Sequence, residues 1–230
     1  MTTTETNLSI SKRTLDLLKN FSTINSNILI RPGNKITTIS SVKNIMAEAE
    51  VEETFDAEFG IWDLSRFLGT ISLFENPELI FDEKYMTITG NNGASVKYFY
   101  CEPKLLTTVN KEIQMPEVVV NFTLTEKAFA DIQRAASVLQ LSDISVRSNG
   151  DDIEMVAQNK GDATSNHYAI KVGEMGDSDS FEFFFKAENL KMLPADYDVE
   201  LTESVVAKFE NTSTDLRYWI ALESDSKYGG

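Results

Sequence analysis

Residues Lys12 to Lys19 read KRTLDLLK. Leu17, Leu18 and the following Phe21 form an apolar stripe at helical spacing, and Ser11 can cap the first turn. The spacing therefore predicts an amphipathic helix from Ser11 to Phe21. At 100° per residue, Lys12, Asp16 and Lys19 lie within about 60° of one another, so the polar face is basic with one acid in it. The same grammar returns at Lys127 to Arg134, KAFADIQR: position 127 matches 12, 131 matches 16 and 134 matches 19, an offset of 115 in a chain of 230 residues.

Working outward, the order of elements also repeats. Leu8 and Ile10 alternate with Ser9 and Ser11 as in a short strand. After the first helix, NILIRPGNKITTIS (27–40) predicts a hairpin turning at Pro32-Gly33-Asn34, and MAEAEVEETF (46–55) alternates in the strand period. DLSRFLGTISLF (63–74) predicts a second helix capped by Asp63, and residues 78–101 hold strands around a turn at Gly90-Asn91-Asn92-Gly93. From Val118 the sequence starts again: a strand, a helix over 126–139, a hairpin across Ser148-Asn149-Gly150-Asp151, strands at 166–172 and 180–186, a short helix in AENLKML (187–193) stopped by Pro194, and closing strands. VKYFYCE (96–102) resembles LRYWIALE (216–223). Between the halves, EPKLLTTVNKEIQMPE has proline near both ends and no period. The expectation is an α+β chain of two duplicated domains, 1–101 and 118–230, joined by a connector at 102–117.

With 42% hydrophobic and 10% aromatic residues, the chain can bury sizeable cores. The formal net charge of −15 argues against adhesion to nucleic acid or to an anionic membrane. A single cysteine, Cys101, excludes an internal disulfide framework. No apolar run is long enough to span a bilayer, and MTTTETNLS lacks the regions of a signal peptide. An intracellular, membrane-free protein is expected.

Chemistry is sparse. The one histidine, His167, cannot build a zinc set, and no glycine-rich phosphate loop is present. Cys101 ends an apolar strand and reads as a small hydrophobe. Glu48, Glu50, Glu52, Glu53, Asp56 and Glu58 read as a solvated outer face rather than a catalytic pair. No catalytic residue, metal or cofactor is expected.

The positive charge is not spread evenly. Residues 1–115 carry 11 basic and 15 acidic side chains, a net −4; residues 116–230 carry 10 and 21, a net −11. The predicted helical windows 11–21, 63–72, 126–140 and 186–192 carry +2, 0, 0 and +1, leaving −18 on the rest. So small an excess cannot hold DNA by adhesion at physiological salt. Helices facing a common interior, with acidic strands outside, would hold DNA by encircling it, and weak contacts would permit sliding.

At this point the sequence resembles a known family. LLKNFSTINSNI (17–28), IWDLSRFLGTISLF (61–74), NLKMLPADYDVEL (189–201) and RYWIALESDS (217–226) resemble the sliding clamps, the DNA polymerase processivity factors, most closely those of T-even-type bacteriophages. The resemblance runs from about Leu8 to Ser226. It implies two clamp-type domains per chain, with helices lining a channel and antiparallel sheets outside, and a homotrimeric ring in the cytoplasm of an infected bacterium. It also implies double-stranded DNA, the replicative DNA polymerase, an ATP-driven clamp loader and late-transcription factors as partners, with no enzymatic activity. Carried over by position, the channel-facing residues would be Lys12, Arg13, Lys19, Arg66, Lys127, Arg134 and Lys191. A pocket for partner peptides would draw on Ile39, Ile45, Ile113, Met115, Pro194 and Trp219. Subunits would join through Tyr98 and Tyr100 of one copy and Ile170 and Val172 of the next.

Two rivals remain from the residues alone: an acidic, duplicated, β-rich virion structural or assembly protein, and a hydrolase with a hidden carboxylate pair. The gathering of lysine and arginine on helices favours the clamp over both.

Overall fold

A computed structural model describes residues 7–229 apart from 92, 110–112, 163, 177–178 and 204. The chain divides into two compact units, 1–110 and 111–230, and the division falls within the 102–117 segment.

Unit 1 runs β1 (Asn7–Ser9), α1 (Lys12–Ile24), β2 (Ile28–Ile30), β3 (Gly33–Ile39), β4 (Ile45–Phe55), β5 (Phe59–Ile61), α2 (Leu64–Ile71), β6 (Glu78–Phe81), β7 (Tyr85–Thr89) and β8 (Ser95–Phe99), then a single 3-10 turn at Pro103–Leu105. Unit 2 runs β9 (Val118–Leu124), α3 (Glu126–Leu139), β10 (Asp143–Asn149), β11 (Asp152–Gln158), β12 (Tyr168–Glu174), β13 (Phe181–Lys186), a 3-10 turn at Ala187–Asn189, β14 (Tyr197–Thr202), β15 (Val206–Asn211), β16 (Leu216–Ala221) and β17 (Lys227–Tyr228).

The duplication is visible in strand order. In unit 1 the order β1-β6-β7-β8 is antiparallel throughout, and β9-β14-β15-β16 repeats it in unit 2. In unit 2, β10 pairs with β11 on one side and β13 on the other. In unit 1 that role is divided: β2 pairs with β5, and β3 pairs with β4. The predicted hairpin over 27–40 is therefore wrong. Pro32 and Gly33 (φ 114°) make a corner within one bent strand, not a reversal. Ile28, Leu29 and Ile30 are all buried, and they pair with Phe59–Ile61 rather than folding back on β3.

Local sequence explains the helices. Ser11, Asp63 and Thr125 accept from the backbone N–H groups of Thr14, Arg66 and Ala128, capping α1, α2 and α3. Leu17, Leu18, Phe21 and Ile24 bury one stripe of α1 against β4 and α2, each worth about 1.5–3 kcal/mol. Phe129 and Ile132 do the same for α3 over β11 and β12.

The helix predicted over 187–193 is the second correction, because only one 3-10 turn forms there. Leu190 and Met192 are buried two residues apart, which is an extended spacing. The residue before Pro194 is also barred from helical geometry, and the buried Tyr197 hydroxyl donates to the Leu193 carbonyl at 2.6 Å. Strand β17 was not expected from the sequence.

Glu53 is the third correction. It was grouped with a solvated acidic face but is only 6% exposed. Its two carboxylate oxygens accept from the Ser11 N–H and the Thr14 hydroxyl, tying β4 to the first turn of α1. Burial pushes the Glu53 carboxyl up, but these hydrogen bonds outweigh it and hold the carboxyl below the ordinary value. The ionised form is thus worth more in the folded chain, so this stability is complete above the ordinary glutamate range and is lost as pH falls through the folded value. Glu53→Gln should cost about 1–3 kcal/mol at neutral pH and flatten the loss of stability on acidification, as read by thermal melts at descending pH.

Candidate nucleic-acid interface

Helix α1 presents its basic face to solvent. Lys12, Asp16 and Lys19 are exposed and Arg13 is half-buried at the helix start. Among the described residues none of these three cations has an ion-pair partner. The buried contact of Glu53 with Ser11 and Thr14 lies under the same first turn, so the residues flanking Lys12 and Arg13 are held from below.

Helix α2 packs on α1 and contributes Arg66, whose Nε lies 3.4 Å from the carboxylate of its own N-cap Asp63. Lys12, Arg13, Lys19 and Arg66 are thereby brought into one two-helix layer of unit 1.

Helix α3 repeats the spacing with a different outcome. Lys127 Nζ lies 2.5 Å from Asp131 Oδ2, whereas Arg134 is exposed and has no ion-pair partner among the described residues. The hydrogen bond to Asp131 raises the Lys127 pKa. The two halves therefore share a sequence pattern but not an electrostatic state: α1 offers three free cations, α3 one free and one engaged. Lys191 is exposed, but it sits in the extended segment after the 3-10 turn rather than on a helix.

The residues expected to form a peptide pocket fall in both units. Ile39 ends β3 and Ile45 starts β4, flanking a turn in which the Ser40 hydroxyl accepts from the N–H groups of Asn44 and Ile45. In unit 2, Ile113 and Met115 are half-buried, Pro194 is exposed, and Trp219 is buried on β16.

The residues expected at a subunit contact lie on β8, just after it at Tyr100, and on β12, and both strands are end strands of their sheets. Tyr98 packs edge-on to Phe67 at 5.1 Å and its hydroxyl donates to the Asp63 carbonyl at 3.4 Å. Tyr100 lies 5.3 Å from Phe59, and burial pushes its hydroxyl up to about 12. Their side chains thus pack within unit 1, leaving the strand's backbone as its free edge. Ile170 and Val172 are half-buried on β12, Val172 being the extra residue of a bulge opposite β11.

Glu53 is the functional-site neighbour that sequence reasoning missed. The signal was available: Val51, Glu53 and Phe55 share one face of β4, opposite Glu48, Glu50 and Glu52, and the apolar pair marks that face as inward.

Two copies of one α+β unit, with cations gathered on helices over an acidic body, define the architecture of the DNA clamps. Residues 10–102 match the family described as DNA polymerase processivity factor, and residues 121–224 match the C-terminal part of the gp45 sliding clamp. The chain is 31% identical to the sliding clamp of Vibrio phage KVP40 over 94% of its length and all of the relative's. It is 30% identical to that of Enterobacteria phage T4, over 96% of this chain and 99% of the other. PCNA of A. fulgidus, solved with the C-terminal region of FEN-1 bound, shares the fold with a TM-score of 0.70 at 14% identity, covering 97% of this chain and 99% of that one. The chain belongs to the phage sliding clamp family of DNA polymerase processivity factors.

Asp131→Asn should return the Lys127 ammonium toward the ordinary lysine pKa. An NMR titration of the lysine side chains reads this directly, and an unmoved Lys127 would show that the pair does not persist in solution.

Proposed function

We propose that three copies of this chain close into a ring around duplex DNA and tether the replicative polymerase for processive synthesis. The observation that carries this reading is the set of unpaired cations on α1 in a chain of net charge −15. A body so acidic repels DNA, so the contacts on α1 are useful only where the duplex is confined beside them. Retention then comes from topology, and weak phosphate contacts leave the ring free to slide.

The free edges support ring closure. Unit 1 leaves β8 unpaired on one side, and unit 2 leaves β12 so, each with half-buried side chains on its inner face: Val96 and Tyr98 on one, Tyr168, Ile170 and Val172 on the other. Exposed edges of this length are hazards unless covered. Pairing unlike edges of successive copies is a heterologous contact, which closes into a ring when the rotation permits. The number of copies comes from the resemblance to T-even-type clamps. So do loading by an ATP-driven clamp loader, service as a mobile activator of late transcription, location in the cytoplasm of the infected host, and the absence of any reaction catalysed by the clamp itself.

The same proposal takes Lys12, Arg13, Lys19, Arg66, Lys127, Arg134 and Lys191 as facing DNA. It takes Ile39, Ile45, Ile113, Met115, Pro194 and Trp219 as receiving an apolar peptide from a partner. PCNA of A. fulgidus, which shares the fold and was solved with the C-terminal region of FEN-1 bound, supports a peptide-binding role. A virion structural protein would have no use for the cation layer, and the relatives match along nearly the full chain.

Retention after loading tests the ring. The protein should stay on nicked circular DNA and run off the same DNA once linearised; equal loss from both would overturn encirclement. Sedimentation at micromolar concentration should report about three chains, in keeping with closed cyclic assembly.

The asymmetry between halves gives a further outcome. Replacing Lys12, Arg13 and Lys19 with Ala should reduce the salt dependence of DNA contact more than replacing Lys127 and Arg134, with each phosphate contact worth about 0.9 in the slope of log affinity against log salt. A slope change of about 1.8 rather than about 0.9 on replacing Lys127 and Arg134 would show that the Lys127–Asp131 pair opens to meet phosphate.

A further inference from the structure

Between β8 and the unit boundary the chain has one 3-10 turn and then no regular structure, yet it is not loose. Leu106 is buried, and its side chain closes over Gly60, where an added Cβ would come within 2.7 Å of it. The next residue is held by side chains. The Thr107 N–H donates to Asn27 Oδ1 at 3.1 Å, and the Thr107 carbonyl accepts from Asn25 Nδ2 at 3.5 Å. Asn25 Nδ2 also donates to the Ile39 carbonyl at 2.8 Å, and Asn25 Oδ1 accepts from the Asn27 N–H at 3.1 Å.

Asn25 is 7% exposed and is the C-cap of α1, its own N–H donating to Phe21 O at 2.9 Å. One buried amide thus joins three elements of unit 1: the end of α1, the end of β3 and the stem of the connector. A buried amide with all of its groups engaged resists rearrangement, because opening it strands several polar groups at once.

We infer that Asn25 and Asn27 form a latch that positions the connector stem against the end of β3, and so shape the surface around Ile39 that is proposed to receive partner peptides. This rests on the peptide-groove reading given under the proposed function. Asn25 and Asn27 are positioning residues: they act through Thr107 and Ile39 rather than by touching the peptide. The two side chains have separable chemistry. Asn27 is needed only as an acceptor toward Thr107, a role aspartate keeps. Asn25 is needed as a double donor, a role aspartate loses while turning a carboxylate toward two carbonyl oxygens.

The test uses the full chain and a short fluorescein-labelled peptide copying the C-terminus of the cognate DNA polymerase, read by anisotropy. Asn27→Ala and Asn25→Asp should each weaken peptide binding about tenfold, and Asn27→Asp should bind like the wild type. Amide exchange on the free proteins runs in parallel. Thr107 should exchange faster in Asn27→Ala while the amides of α1 keep their protection. Unchanged peptide affinity in Asn27→Ala and Asn25→Asp would overturn the latch, as would an Asn27→Asp variant as weak as Asn27→Ala. Loss of protection throughout α1 in Asn27→Ala would reduce Asn27 to a structural support and also overturn it. If the wild-type chain fails to bind the peptide, the groove reading itself is wrong and the latch falls with it.

Discussion

Backbone pairing of the segment that follows the first helix organises each unit. In unit 2 this segment is one continuous strand, β10, between β11 and β13. In unit 1 the strand is broken at Pro32, which has no N–H to give, and the two pieces pair in different directions. The preceding helix is delivered to the sheet by this strand, and its apolar stripe is buried because the strand fixes where it lands. Glu53 then ties the start of α1 to β4. The cations on the helix's outer face are thus set by a chain of local constraints that begins with backbone pairing.

The electrostatics follow a similar division. Acidic side chains dominate the chain as a whole, yet many are absorbed by ion pairs on the strands: Lys35 with Glu48, Lys171 with Asp152, Lys208 and Arg217 with Glu210. Such exposed pairs are each worth little. Their effect is to occupy many of the strand cations, whereas among the described residues Lys12, Arg13 and Lys19 on α1 have no ion-pair partner. A weak, localised attraction on an otherwise repulsive body is suited to confinement rather than adhesion.

Much of this was legible in the sequence because it rests on periodicity. The helices at 12–24, 64–71 and 126–139 announced themselves by stripe and cap, and the repeat offset between residues 12 and 127 exposed the duplication. What escaped depended on partners far away in the chain. Pro32-Gly33-Asn34 carries strong turn chemistry, but whether a turn reverses a strand or bends it is decided by what pairs with Ile28–Ile30, and that is Phe59–Ile61. AENLKML has helical composition, but tertiary burial of Leu190 and Met192 overrides it. Asp16 and Asp131 occupy matching positions, and only the structure separates an acid that engages its lysine from one that does not. Nothing local in the sequence marks Thr107 as the partner of Asn25 and Asn27.

The single turn that stands where a fourth helix was expected bears on the symmetry of the proposed ring. A faithful duplication would make each half-chain interchangeable with the next, so that a ring of three would repeat six times around its axis. Among the described residues, α2 has no counterpart in unit 2, and β12 has none in unit 1. The proposed ring is therefore truly periodic only in whole chains. Adjacent repeats are unlike in helix content, in free charge and in which edge they leave open. A ring of three such chains would therefore present two unlike kinds of repeat in alternation, three of each, rather than six copies of one.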